Sequence, residues 1–197
     1  MTNPADLTYS NHSSLHLISN PTELGQYINL MSLVLANRQL TSLPPQIGDL
    51  KKLTYVELQR NQLTCLPTEI GQLTNLEELH LWDNQLTDLP IEFWQLTNLE
   101  ELILKNNRLT YIPSAIGQLT KLTSLSLSNN LLTSIPSEIG KLTSLTSLWL
   151  SKNKLTTLPI EIRQLTNLTE LGLVDNLFSD VEKEKIRQFL PNCKVEF

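Results

Sequence analysis

The chain has 197 residues and a formal net charge of −5 at pH 7, with 40% hydrophobic and 18% charged residues. The acidic balance argues against a nucleic-acid-binding protein, whose phosphate contacts need clustered Lys and Arg, and the hydrophobic fraction argues against a disordered chain. The sequence has no run of about 18 apolar residues, so we expect no membrane-spanning helix.

The N-terminal segment, residues 1–29, is predicted to be a cap. Residues 20–26 match residues 66–72 in the middle of the chain, but the Leu-rich part that precedes such a segment elsewhere is degenerate here. We therefore interpret residues 1–29 as a degenerate zeroth repeat in which Asn20 caps a short helix and Pro21 takes its first position. A cap of this kind covers the end of a stack of repeats.

The same segment has no basic region followed by an apolar core, so the chain as given carries no secretory signal. This predicts a cytoplasmic protein by default, or a secreted or surface protein if a signal was trimmed. His12 and His16 are expected on the surface of the cap rather than as metal ligands.

Residues 30–178 contain seven copies of a 23-residue unit, which explains the high content of 43 Leu, 20 Thr and 17 Asn residues. The copies follow the pattern L-x-x-L-x-L-x-x-N-x-L with three exceptions: Arg38 replaces the Asn at position nine of the first copy, Val56 the Leu at position four of the second, and Phe178 the Leu at position eleven of the seventh. A Pro stands at position fifteen of the first six copies. The first residues of the seven copies are Leu30, Leu53, Leu76, Leu99, Leu122, Leu145 and Leu168.

This pattern, with its LPxxIGxL second half, resembles the 23-residue type of leucine-rich repeat, particularly in small bacterial proteins that include those of pathogenic spirochaetes. The resemblance implies an α/β solenoid: a leucine-rich repeat horseshoe with a parallel concave β-sheet and short helical or 3-10 segments on the convex side. It implies little about the partner, because the family binds many partners through variable positions.

The residue pattern predicts the same solenoid on physical grounds. Leu at positions four and six alternates with polar residues, which is the period of a strand with one buried face. Such a short strand cannot bury its Leu side chains alone, so successive copies must stack about 4.8 Å apart in a parallel sheet. The Asn at position nine can donate and accept hydrogen bonds in the turn after the strand. The Pro at position fifteen begins the short convex segment.

Residues 179–197 depart from the repeat and are predicted to form a C-terminal capping helix and a short terminal strand. Asp180 or Ser179 can cap the helix. With one inserted residue, Val195 and Phe197 fall on positions four and six of an eighth strand. The charged residues beside them discourage edge-to-edge pairing, so the capped chain is expected to be a monomer.

The sequence contains no pattern typical of catalysis, cofactor binding or metal binding. It lacks a Gly-x-Ser-x-Gly elbow, a Walker motif, a dinucleotide fingerprint and zinc-type Cys/His spacing, so we expect no enzymatic activity, cofactor or metal. Cys65 and Cys193 are predicted to be free thiols, because roughly six coils would separate them and a disulfide needs Cα atoms within about 7 Å.

The variable positions of the concave face point to a binding surface. Positions three, five and seven are not dictated by the core, and in repeats two to four they carry large side chains, including Tyr and Trp, which are frequent anchors of interfaces. The same residues could instead cover one another on a surface that binds nothing. The predicted binding residues are Tyr55, Glu57, His80, Trp82, Ile103 and Lys105, with Trp149 as a second contact three coils away.

We therefore predict a non-enzymatic module that binds a partner protein on its concave face. Glu78, Glu101 and Asp83 form an acidic rim, which favours a partner with a basic or neutral polar patch. The alternative is a secreted or surface-exposed adhesin or host-interaction protein. No nucleic acid is expected as a partner.

Two further features allow two interpretations each. Four carboxylates on adjacent coils could bind a cation or a basic partner, or they could form a solvated rim neutralised by Lys121, Arg60 or Lys105, and the second interpretation is preferred. These carboxylates belong to Glu77, Glu78, Glu100 and Glu101. Trp94, beside Phe93, is either an exposed hydrophobic spot on the convex side or a residue packed over the neighbouring short helices.

Overall fold

A computed structural model of the chain describes Leu24 and residues 27–197. Eight short strands form one parallel sheet in chain order, so each strand pairs with its sequence neighbours. The pairing places Leu33 opposite Val56 and Leu79 opposite Leu102, a shift of one repeat, as the pattern predicted. The strands are β1 (Ser32–Val34), β2 (Tyr55–Glu57), β3 (Glu78–His80), β4 (Glu101–Ile103), β5 (Ser124–Ser126), β6 (Ser147–Trp149), β7 (Glu170–Gly172) and β8 (Lys194–Glu196).

One 3-10 segment of five residues follows each strand from β1 to β6 on the opposite, convex side. The Pro at position fifteen stands just before each segment, at the N-cap, with φ between −61° and −75°. It therefore directs the chain into the segment rather than occupying its first residue. The segments are Pro45–Asp49, Thr68–Gln72, Ile91–Gln95, Ser114–Gln118, Ser137–Lys141 and Ile160–Gln164.

Leu side chains from the strands and apolar side chains from the 3-10 segments meet in one continuous core. Leu79 and Leu81, at positions four and six of the third repeat, are completely buried, and so are Ile70 and Leu73 on the convex side. The predicted solenoid and its inward-facing positions are confirmed. None of the helices in the described residues is long and apolar enough to cross a membrane.

The Asn at position nine ties its own coil to the preceding one. Oδ1 of Asn107 accepts a hydrogen bond from the backbone N–H of Leu86 at 3.0 Å, and Nδ2 donates to the carbonyl oxygens of Leu81 and Leu104, also at 3.0 Å. The amide thus satisfies backbone groups that the turn buries. The same pattern is repeated by Asn61, Asn84, Asn130, Asn153 and Asn176.

The turn after each strand has a left-handed residue at position eight that the sequence analysis did not identify. All seven residues at this position have φ between 54° and 57°. Asn and Asp tolerate this conformation, whereas long side chains adopt it at a cost. The residues are Asn37, Arg60, Asp83, Asn106, Asn129, Lys152 and Asp175.

Trp94 is buried, with only 1% of its surface exposed, and it stacks edge to face on Phe93 at 5.3 Å between ring centroids. Most repeats have Gly at this position because the next coil lies close: a Cβ on Gly71 would approach the carbonyl oxygen of Glu92 to 2.2 Å. One coil after Glu92, the equivalent residue is the smaller Ala115. The packed interpretation of Trp94 is therefore correct, and the exposed hydrophobic spot is wrong.

The C-terminal residues form helix α1 (Asp180–Phe189) and strand β8. The N-cap is Ser179, whose hydroxyl accepts a hydrogen bond from the backbone N–H of Glu182 at 3.2 Å. Val195 pairs with Leu171 in β7, which confirms the inserted residue.

Both cysteines are free thiols, as predicted. Burial, with a smaller effect of the Glu170 carboxylate, raises the pKa of Cys193 to about 11. At the other end of the chain, the predicted cap residues Asn20 and Pro21, and His12 and His16, lie outside the described residues.

Candidate functional site

The sheet aligns the variable residues of the concave face in rows, because parallel strands in register place equivalent side chains next to each other. The row at position five is Val34, Glu57, His80, Ile103, Ser126, Trp149 and Gly172. Residues at positions seven and eight follow directly after the strands and extend this face. We use the term concave face for these outward-facing residues and those at position three.

On β2, Tyr55 and Glu57 point to the same side and bind one another. The Tyr55 hydroxyl donates to Oε1 of Glu57, while Nε2 of Gln59 donates to its Oε2 at 3.0 Å. Burial raises the pKa of the Tyr55 hydroxyl well above its usual range, and the hydrogen bond to Glu57 and the carboxylates of Glu78 and Glu101 add to this effect. The phenol is therefore held neutral as a donor.

His80 connects β2 to β4. Its ring contacts that of Tyr55 edge to face, with 5.5 Å between the centroids, and its Nε2 lies 2.9 Å from Oε1 of Glu101. The side chain of His80 is only 15% exposed. The ring is thus fixed between an aromatic neighbour and a carboxylate.

Trp82 is half-buried at position seven of the third repeat. The guanidinium of Arg60 lies 4.7 Å from the centroid of the Trp82 ring, a cation–π geometry, and its Nε lies 3.9 Å from Oδ2 of Asp83. Asn106 donates a hydrogen bond to the other oxygen of Asp83. The left-handed residues at position eight therefore support the Trp82 side chain.

The structure places the predicted residues of repeats two to four on one face, and it brings Tyr55, Glu57 and His80 into direct contact. Ile103 is half-buried and Lys105 is exposed on the next coil.

The sequence analysis missed the support of Trp82 by Arg60, because the left-handed turn at position eight has no single residue type. It also expected Arg60 and Lys121 to neutralise the Glu rim. Instead, Arg60 binds Trp82 and Asp83, and Lys121 binds Oδ1 of Asn98 at 2.8 Å.

A second part of the face surrounds Trp149. Lys105 and Trp149 line the same open pocket of about 570 Å³, so Trp149 does not stand apart from the other predicted residues. Ser126, at position five of the fifth repeat, is buried beside it. The remaining lining residues are polar or basic: Asn106, Ser128, Asn129, Ser151 and Lys152.

Comparison with known proteins agrees with this fold. A family model described as "Leucine-rich repeat region" matches residues 78–193, and one described as "Leucine rich repeat" matches residues 28–86. No curated protein gives a significant match.

Solved structures resemble nearly the whole chain. A leucine-rich repeat protein of Leptospira interrogans is 42% identical with a TM-score of 0.72, and the match covers 90% of this chain and 51% of that one. An internalin of Listeria monocytogenes is 28% identical with a TM-score of 0.75 and the same coverage of both chains. A plant peptide hormone receptor, solved in complex with RGF2, is 36% identical with a TM-score of 0.71, covering 79% of this chain and 26% of the receptor. This chain thus spans about half the length of the two bacterial proteins.

Proposed function

This chain belongs to the leucine-rich repeat family, and we propose that it is a non-enzymatic interaction module that binds a partner protein on its concave face. Structural relatives include a receptor solved with its peptide hormone, which fits a role in protein interaction. The predicted binding residues are the large side chains of repeats two to four, with Trp149 as a further contact.

The observation that carries the proposal is the placement of large aromatic side chains where the fold does not need them. Tyr55, Trp82 and Trp149 are half-buried on the outer surface of the sheet, whereas the core is filled by Leu and Ile from other positions. Aromatic residues of this kind bury a large area on binding and lose little conformational entropy. Arg60 holds the Trp82 ring, and Glu57 and His80 hold the Tyr55 ring. This favours binding, because a preorganised surface loses less conformational entropy on association.

Charge divides the face into two parts. Glu57, Asp83 and Glu101 make repeats two to four acidic, whereas Lys105 and Lys152 flank the pocket beside Trp149. A partner with a basic or neutral polar patch fits the first part, and the second part favours polar or acidic groups. This surface is not one for nucleic acids, and the module acts as a monomer.

A second candidate function, a secreted or surface-exposed adhesin, differs in compartment rather than in the binding face. The match to the Listeria internalin over 90% of this chain motivates it. A signal or lipidation site upstream in the genomic reading frame would favour this candidate, and a frame that starts at Met1 would favour an intracellular binding protein.

Affinity capture with quantitative mass spectrometry tests the proposed surface. The bait is compared with its Tyr55→Ala/Trp82→Ala variant and with the convex variant Gln118→Ala, after all three have been shown to be folded. We expect at least one protein to be retained by the wild type and by Gln118→Ala and to be lost from the concave variant. Equal recovery by all three baits would contradict a binding site in repeats two to four.

A further inference from the structure

We propose that Glu78, His80 and Glu101 form a binding site for a Zn²⁺ ion on the concave face. The sequence analysis considered a cation at carboxylates that include Glu78 and Glu101, but it did not connect them with His80, because the three ligands come from two different repeats and form no linear motif. Strands β3 and β4 bring them together, since Glu78 is paired with Glu101 and His80 lies two residues after Glu78.

The geometry is close to that of a three-ligand site. A ring nitrogen of His80 and one carboxylate oxygen each of Glu78 and Glu101 lie within 4.8 Å of one another. Nε2 of His80 is already 2.9 Å from Oε1 of Glu101. Zinc binds His nitrogen and carboxylate oxygen at about 2.0–2.2 Å, which needs ligand atoms roughly 3–3.5 Å apart. The Glu78 carboxylate therefore has to move closer by side-chain rotation for all three residues to bind one ion.

The charges around these residues also favour a cation. Glu78 and Glu101 are directly opposite each other on neighbouring strands, where like charges destabilise a sheet. Of the two carboxylates, only that of Glu101 lies within hydrogen-bond distance of His80, and within the described part of the chain the Glu78 carboxylate accepts no hydrogen bond and forms no ion pair. A divalent cation would neutralise both carboxylates.

The ligand types select the metal. Mg²⁺ and Ca²⁺ prefer oxygen ligands, and Ca²⁺ needs six or more of them, so a His nitrogen with two carboxylates does not suit either ion. Zn²⁺ accepts this mixed set, and three protein ligands leave its fourth position open. Because all three residues lie on the concave face, water or a side chain of a partner can supply the fourth ligand.

The test is a titration of the tag-free chain alone with ZnCl₂ by isothermal calorimetry, so its outcome is independent of the proposed partner. Wild type is compared with His80→Gln and Glu101→Gln, each checked for folding by circular dichroism. The matched control is Glu170→Gln, which removes a carboxylate from the same repeat position on β7, where no His is present. His12, His16 and Cys65 are retained in every variant, so ions that they bind contribute equally to all titrations.

We expect wild type and Glu170→Gln to bind one more Zn²⁺ per chain than His80→Gln and Glu101→Gln do. If the site variants still bind this ion, their affinity for Zn²⁺ should be at least about tenfold lower. CaCl₂ and MgCl₂ should produce no such difference. Co²⁺ in place of Zn²⁺ should give visible absorption bands that His80→Gln abolishes. Identical ZnCl₂ isotherms for wild type, His80→Gln and Glu101→Gln would overturn the proposal.

Discussion

The six-membered ring of Trp149 lies over Gly172, so close that a Cβ atom on Gly172 would be 2.6 Å from Cε3 of the Trp149 ring. The two residues are partners in the pairing of β6 with β7. Gly172 is buried and Trp149 is half-buried, so the missing side chain of one residue provides the space for the other.

This relationship predicts a strong coupling between the two positions. Gly172→Ala should lower the free energy of unfolding by about 1–3 kcal/mol, because the added methyl group collides with the Trp149 ring. In a Trp149→Ala background the same substitution should have little effect, and urea denaturation of the four proteins gives the coupling energy. Equal losses in both backgrounds would show that the ring does not constrain position 172.

The register of the strands predicts that two neighbouring substitutions lower the free energy of unfolding by very different amounts. Leu127 is 1% exposed in the middle of the stack, and Leu127→Ala should cost about 2–5 kcal/mol through lost burial and a cavity. Ser128 is half-exposed on the concave side, so Ser128→Ala should change stability by no more than about 0.5 kcal/mol. Urea melts with equal losses would mean that the strand is shifted by one residue.

The left-handed turn predicts a stabilising substitution. Lys152 has φ of 57°, a conformation that Asn adopts more readily than Lys. Lys152→Asn should therefore raise the free energy of unfolding by about 0.5–1 kcal/mol. Lys154→Asn is the control, because it makes the same change at an exposed residue that does not have a positive φ. A gain that is the same at both positions would exclude the backbone explanation.

The raised pKa of Tyr55 predicts a loss of stability at alkaline pH. The ordinary phenol pKa is about 10, so above this pH the unfolded chain releases a proton that the folded chain retains. The stabilising effect of Tyr55 is therefore complete below pH 10 and decreases as the pH rises further. The stability difference between wild type and Tyr55→Phe, from urea melts at several pH values, should shrink above about pH 10. A difference that stays constant would contradict the shift.

The repeat determines the fold so fully that the sequence predicts it almost residue by residue. Position six is Leu in every copy and position nine is Asn in six of the seven, because an inward strand position and a buried turn each tolerate few side chains. The register of β1 to β7, the burial of Leu127 and the Asn hydrogen bonds all follow from this pattern.

The candidate site was harder to predict, because its contacts cross between repeats. Nothing in the sequence shows that the Arg60 guanidinium packs on the Trp82 ring or that the Trp149 ring packs against Gly172, since both contacts depend on side-chain conformations. The burial of Trp94 at a convex position where most repeats have Gly is likewise visible only in the structure. The variable positions can be located from the repeat, but their mutual contacts require the structure.

The most direct test of the binding surface is the affinity of a captured partner for matched variants, measured by isothermal titration calorimetry. Trp82→Ala should weaken binding by at least about 2 kcal/mol, because a Trp anchor at an interface is typically a hot spot, and its folding should be nearly unchanged. Gln118→Ala, on the convex side, should bind like the wild type. Unchanged affinity for Trp82→Ala and Tyr55→Ala, together with a large loss for Gln118→Ala, would contradict the account and place the binding site on the convex side.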